Sequence, residues 1–242
     1  MSLAERFTAA LAAETDGDDD GHLLPDRLAR VVARLLAVDG AGLTVLNGPH
    51  GRSPLGASSP AAALAERLQF TVGTGPCLLA QSSGRPVFVV EDDLRLRWPA
   101  FAELLLTRTG FRGIVALPLR PPISAALDLF LHDPGDVARV DVFDAISVGD
   151  LVTSALTDAA VWSSWSEAAG PEWLRSPAGV RRAAVWHAVG RTAAALDVDS
   201  PAALAVLRAH AYVEGRSVDA VAADLLSGRL GPAELLDRPG GH

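Results

Sequence analysis

At 242 residues the chain is longer than a usual single domain, so it holds one large domain or two smaller ones. It is 49% hydrophobic with a formal net charge of −8, which excludes a disordered chain and a generally basic nucleic-acid binder. All 21 basic residues are arginine, which removes the lysine chemistry of a Walker A loop, a Schiff base or a pyridoxal enzyme, and the single cysteine, Cys77, removes an intramolecular disulfide and a four-cysteine zinc site.

The opening MSLAERFTAALAAETDGDDD lacks the basic and apolar regions of a secretion signal, and no later stretch has the roughly 20 apolar residues of a membrane span. A cytoplasmic protein without membrane association is expected. Residues 3–13 predict a short apolar helix, and the acidic run 14–20 a solvated loop. From Pro25, Leu28, Val31, Val32, Leu35 and Leu36 recur at helical spacing and predict a helix ending near Val38. Residues 40–46 predict a strand, followed by a turn at Asn47-Gly-Pro-His-Gly51.

Helical periodicity returns over 61–70 and breaks at Gly73-Thr-Gly75, before another short helix; these glycines serve turn geometry or line a ligand pocket. Residues 86–90 predict a buried strand ending at the solvated loop acids Asp92 and Asp93. Residues 97–109 predict a helix, 113–119 a strand, and 124–131 its hairpin partner. Residues 141–169 form a long helical segment whose length exceeds what one small sheet covers, so part of it is expected to pair with another subunit.

Two prolines and a glycine within 169–177 mark a domain boundary, beside which Trp162, Trp165 and Trp173 are expected to anchor the packing. Three helices follow over 178–196, 200–214 with Ser200 as N-cap, and 217–227 with Ser217 as N-cap. The organisation is therefore an N-terminal helix and acidic loop (1–20), a sheet domain (21–168), a linker (169–177), a helical bundle (178–228) and a tail (229–242), an α+β architecture.

Gly73-Thr-Gly-Pro-Cys77, Gly84-Arg-Pro-Val87, Arg97-Trp-Pro-Ala-Phe101, Gly110-Phe-Arg-Gly113 and Ala116-Leu-Pro-Leu119 stand in the order found in GAF domains, which residues 20–165 resemble. Val185, Ala188, Gly190, Ala203, Leu207-Arg208, Ala211, Val218, Val221-Ala222 and Leu226 make residues 178–228 resemble an ANTAR domain. The resemblance implies an antiparallel sheet flanked by helices, serving as a sensory and dimerisation module for a small-molecule or protein signal. It also implies a three-helix output that binds paired RNA stem-loops and acts in transcription antitermination, within a homodimer.

Such an output needs cations against phosphate and side chains that stack on loop bases. Arg208, within the matching Leu-Arg pair, is the first candidate, followed by Arg191, Arg216, Arg182 and His210; Tyr212 is a second stacking candidate. The lysine that the resemblance places in the first helix is Val189 here, and two commonly basic positions are Ser217 and Asp219. These departures motivate an alternative: a sensory or scaffold protein whose bundle mediates protein interaction. Charge is split between the halves, with eight arginines against seven acids in 175–242 and 13 against 22 before it.

Cys77 reads as a small core hydrophobe. The six histidines show no metal-ligand spacing, and no nucleophile motif is present, so neither a metal, a cofactor nor an enzyme activity is expected.

Overall fold

The computed structural model describes residues 1–14, 23–47, 51–162 and 172–236. The acidic run from residue 15, His22, His50, Trp165 and the tail from residue 237 lie outside these, as do the side chain of Trp162 and residues 169–171 of the proposed linker.

Helices α1 (Leu3–Ala13) and α2 (Leu24–Leu35) precede strands β1 (Gly40–Asn47) and β2 (Gly51–Ala57). Helices α3 (Pro60–Val72) and α4 (Pro76–Ser83) lead to β3 (Val87–Val90), α5 (Glu91–Arg97) and α6 (Pro99–Arg108). The hairpin of β4 (Gly113–Pro118) and β5 (Ala125–Leu131) is followed by α7 (Val142–Trp162). The strands form one antiparallel sheet in the order β2-β1-β5-β4-β3.

Both faces of this sheet are covered. Leu43, Val115, Leu117, Leu127 and Leu129 pack with α1, α2 and α7, whereas Ile114, Ala116, Ala126 and Phe130 pack with α3, α4 and α6. Alternate residues of one strand therefore serve opposite cores, and for this reason β4 and β5 read as continuous apolar runs rather than as alternating ones.

A row of buried polar groups fixes α3 to the sheet. Thr44 Oγ1 donates to Glu66 Oε2 at 2.7 Å, and Gln69 Nε2 donates to Asp128 Oδ2 at 2.8 Å. Gln69 Oε1 accepts from the Cys77 amide at 3.2 Å, and Cys77 itself is buried, as a core hydrophobe would be. A Cβ at Gly42 would stand 2.3 Å from Glu66 Oε1, so only glycine lets the helix approach here.

Two elements depart from the sequence expectation. Strand β2 contains Gly51, Pro54 and Gly56 and shows no apolar alternation; as the edge strand it tolerates Pro54 beside a register shift between Leu43 and Thr44. The acids expected in a solvated loop instead form the first turn of α5, where they face the positive helix end, and Asp93 Oδ2 accepts from the Val90 amide at 3.2 Å.

Beyond a short 3-10 turn (Glu172–Arg175), helices α8 (Pro177–Leu196), α9 (Ser200–Val213) and α10 (Val218–Ser227) pack around Val185, Ala188, Leu204, Leu207, Val221 and Leu225. The N-cap of α9 is Asp199, one residue before the expected Ser200, because its carboxylate reaches the Ala202 amide at 2.8 Å. Ser217 caps α10 as expected.

Candidate functional site

The core of the helical bundle includes a residue of the sheet domain. Phe70, in the last turn of α3, is 1% exposed and packs among Val185, Leu207 and Val218, with its ring edge-on to Trp186 at 6.4 Å. Two of the arginines proposed to meet RNA lie against this ring. The Arg182 guanidinium stands 3.3 Å from the ring centroid and that of Arg208 4.7 Å, within cation–π range. Arg208 Nε also donates to the Phe70 carbonyl at 2.9 Å, closing one of the open carbonyls at the end of α3.

Hydrogen bonds surround this contact. Thr71 Oγ1 accepts from the Val218 amide at 3.1 Å and so caps the first turn of α10 from outside the bundle. Ser176 Oγ donates to the Leu55 carbonyl at 2.6 Å and accepts from the Gly179 amide at 3.0 Å, joining β2 to the start of α8. On α6, Arg108 donates to the Gly215 carbonyl, and Glu103 accepts from the Tyr212 hydroxyl at 3.4 Å. Trp173 is buried, and its indole donates to the Leu156 carbonyl of α7 at 3.1 Å.

The loop Gly73-Thr-Gly75 is explained by the same junction. Gly73 closes α3 with φ +80°, and a Cβ there would stand 2.9 Å from Arg208 Nη1. A Cβ at Gly75 would meet Gln69 Oε1 at 2.2 Å. These two glycines admit protein side chains.

The remaining candidates are also engaged within the chain. Arg182, 1% exposed, has Asp219 at 3.5 Å. Arg191 Nη1 donates to the Leu225 carbonyl at 2.8 Å, tying α8 to the end of α10. Arg216 pairs with Asp224 and, at 3.0 Å, with Glu214; the Asp224 carboxylate holds its pKa above the ordinary guanidinium value. His210 is 7% exposed, with Glu214 Oε1 at 3.3 Å from Nε2. The neighbouring Arg67 has its pKa lowered by burial, against the attraction of Asp219.

The three positions that lack the expected cations serve packing. Val189 is 2% exposed in the bundle core, Ser217 is a helix cap, and Asp219 sits beside Arg182. What the sequence did not reveal is that Phe70 and Thr71, more than a hundred residues earlier, complete the bundle.

No family model matches the chain, and no curated protein matches it. Solved structures similar to it include the GAF domain of a phosphoenolpyruvate-protein phosphotransferase from Acinetobacter, at 12% identity and TM-score 0.44, covering 69% of this chain and 100% of that one. Another is the GAF domain of a phosphoenolpyruvate-protein phosphotransferase from Coxiella burnetii, at 15% identity and TM-score 0.40, covering 65% and 98%.

Proposed function

We propose that the chain is a signal-responsive regulator of transcription antitermination, in which a GAF-like sheet domain governs an ANTAR-like bundle that binds paired RNA stem-loops. We further read the conformation described above as the one in which the bundle is held off RNA. The observation that carries this reading is Arg208, the first candidate for phosphate, engaged by the carbonyl and ring of Phe70. A guanidinium so held is not presented to a phosphate backbone, and parting α9 from α3 would release it. A homodimer would offer two bundles to two adjacent stem-loops, with the gain in effective concentration that linkage provides.

The test is titration with RNA carrying two adjacent short stem-loops at several salt concentrations. The double variant Thr71→Val, Arg108→Ala removes two junction contacts without altering any bundle side chain. It should bind about tenfold more tightly than the parent chain, with salt-weakened affinity, and adding Arg208→Ala should abolish that gain. Absence of binding at low salt by both the parent and the double variant overturns the RNA reading.

The structural use of Val189, Ser217 and Asp219 favours a second reading, a scaffold whose bundle contacts another protein. It predicts no RNA affinity in any of these variants.

A further inference from the structure

At one end of the sheet a cleft opens between α7, the β4–β5 turn and the end of α4. Strand β4 ends at Pro118, and the chain turns through Arg120 and Pro121 before returning as β5. Helix α7 crosses this turn, and between them lies a cavity of about 250 Å³. Leu117, Leu119 and Ala145, all buried, form its apolar depth; Ile146 and Pro121 flank it. Gly149 leaves the helix backbone bare at the wall, where a Cβ would stand 3.0 Å from Leu119 Cδ2.

Polar groups also line it. Arg120 is paired with Asp150 at 3.3 Å, and both side chains are well exposed. Gln81 Nε2 donates to Ser124 Oγ at 3.0 Å, while the buried Oε1 of the same amide has no hydrogen-bond partner among the described residues.

We propose that this cleft between α7 and the β4–β5 turn binds a small one-ring carboxylic acid, with its ring against Leu117, Leu119 and Ala145 and its carboxylate on Arg120. Size sets the ring count: a dry cavity of about 150 Å³ takes benzene, so 250 Å³ holds a ring with a short side chain. Charge sets the acid: the guanidinium fork presents several donors and serves a ligand carboxylate while keeping Asp150, since an exposed pair of this kind is held weakly.

An occupant bears on α7 at Ala145, Ile146 and Gly149, two to three turns before Leu156, whose carbonyl holds Trp173 ahead of α8. As the signal for the bundle the site rests on the sensory reading of the sheet domain; as a binding site it does not.

Phenylacetate is the probe, with benzyl alcohol as the uncharged ring and acetate as the charge without a ring, followed by methyl and indole NMR on the full chain. Saturable shifts of the Leu117, Leu119 and Ile146 methyls with phenylacetate, and none with acetate, support the site. Arg120→Gln, a change at an exposed side chain, should weaken phenylacetate about tenfold and leave benzyl alcohol unaffected. Ile146→Trp, from the rim, should block both. Benzyl alcohol binding as well as phenylacetate, shifts unaltered by Ile146→Trp, or no shifts at millimolar phenylacetate overturns the proposal. Methyl shifts with an unmoved Trp173 indole resonance uphold the site and overturn its role as the signal.

Discussion

The carbonyl of Phe70 accepts the Arg208 Nε–H at 2.9 Å while the Phe70 ring lies 4.7 Å from the same guanidinium. One residue of α3 thus satisfies a cation of α9 through both its backbone and its side chain, and joins the core of the bundle as it does so.

Removing that ring should be costly. Phe70→Ala leaves a cavity between Val185, Leu207 and Val218 and withdraws the surface on which Arg182 and Arg208 rest. A loss of about 3–5 kcal/mol in urea unfolding is expected. Amide exchange should accelerate in α8–α10 more than in β4 and β5, whose apolar residues belong to the other two cores.

Thr71 separates the junction's hydrogen bonding from its packing. Thr71→Val preserves shape but leaves the Val218 amide without its acceptor, at an expected cost of about 1–3 kcal/mol. Thr71→Ser should restore most of it. Equilibrium denaturation of the two variants, with exchange at the Val218 amide, checks this.

Gly73 and Gly84 both close helices with positive φ, at +80° and +64°, but only Gly73 faces a side chain. Gly84→Ala should lose about 1 kcal/mol for the left-handed backbone alone. Gly73→Ala should lose clearly more, because its Cβ also displaces Arg208, 2.9 Å away. Equal losses in thermal unfolding would contradict the contact.

Asp224 has its pKa lowered, first by the hydrogen bond from Arg216 and then by that from Arg229. A carboxylate so held stabilises the fold fully above its unfolded pKa of about 3.9, and that contribution fades as pH falls through the lower folded value. Asp224→Asn should therefore melt below the parent chain at neutral pH, with the gap closing on acidification below about pH 4. A gap that widens toward acid would reverse the assignment.

Most helices were legible because each has its own signal; α5, seven residues opening on three acids, was not. Leu28, Val31, Val32 and Leu35 repeat at helical spacing, and Ser217 announces α10 with a side chain that reaches only three residues ahead. The β4–β5 hairpin was equally plain from two apolar runs. Strand β2 was not, because Pro54 and Gly56 suppress any pattern of their own and the strand exists through its partners in β1, with α2 and α8 packed alongside. The arginines were recognisable as candidates but not as buried or exposed: Arg182 and Arg181 are adjacent in sequence, yet one is 1% exposed against Phe70 and the other faces solvent.

The sequence by itself determined the classes of chemistry this chain lacks, the succession of most of its helices and four of its five strands, and the uneven charge of its halves, all of which depend on composition or on residues a few positions apart. Only the tertiary structure decided that the bundle is completed by Phe70 and Thr71, that Arg208 and Arg182 are held at that junction, and that a cleft opens beneath α7. Contacts spanning more than a hundred residues are fixed by how the layers pack, and no local pattern records them.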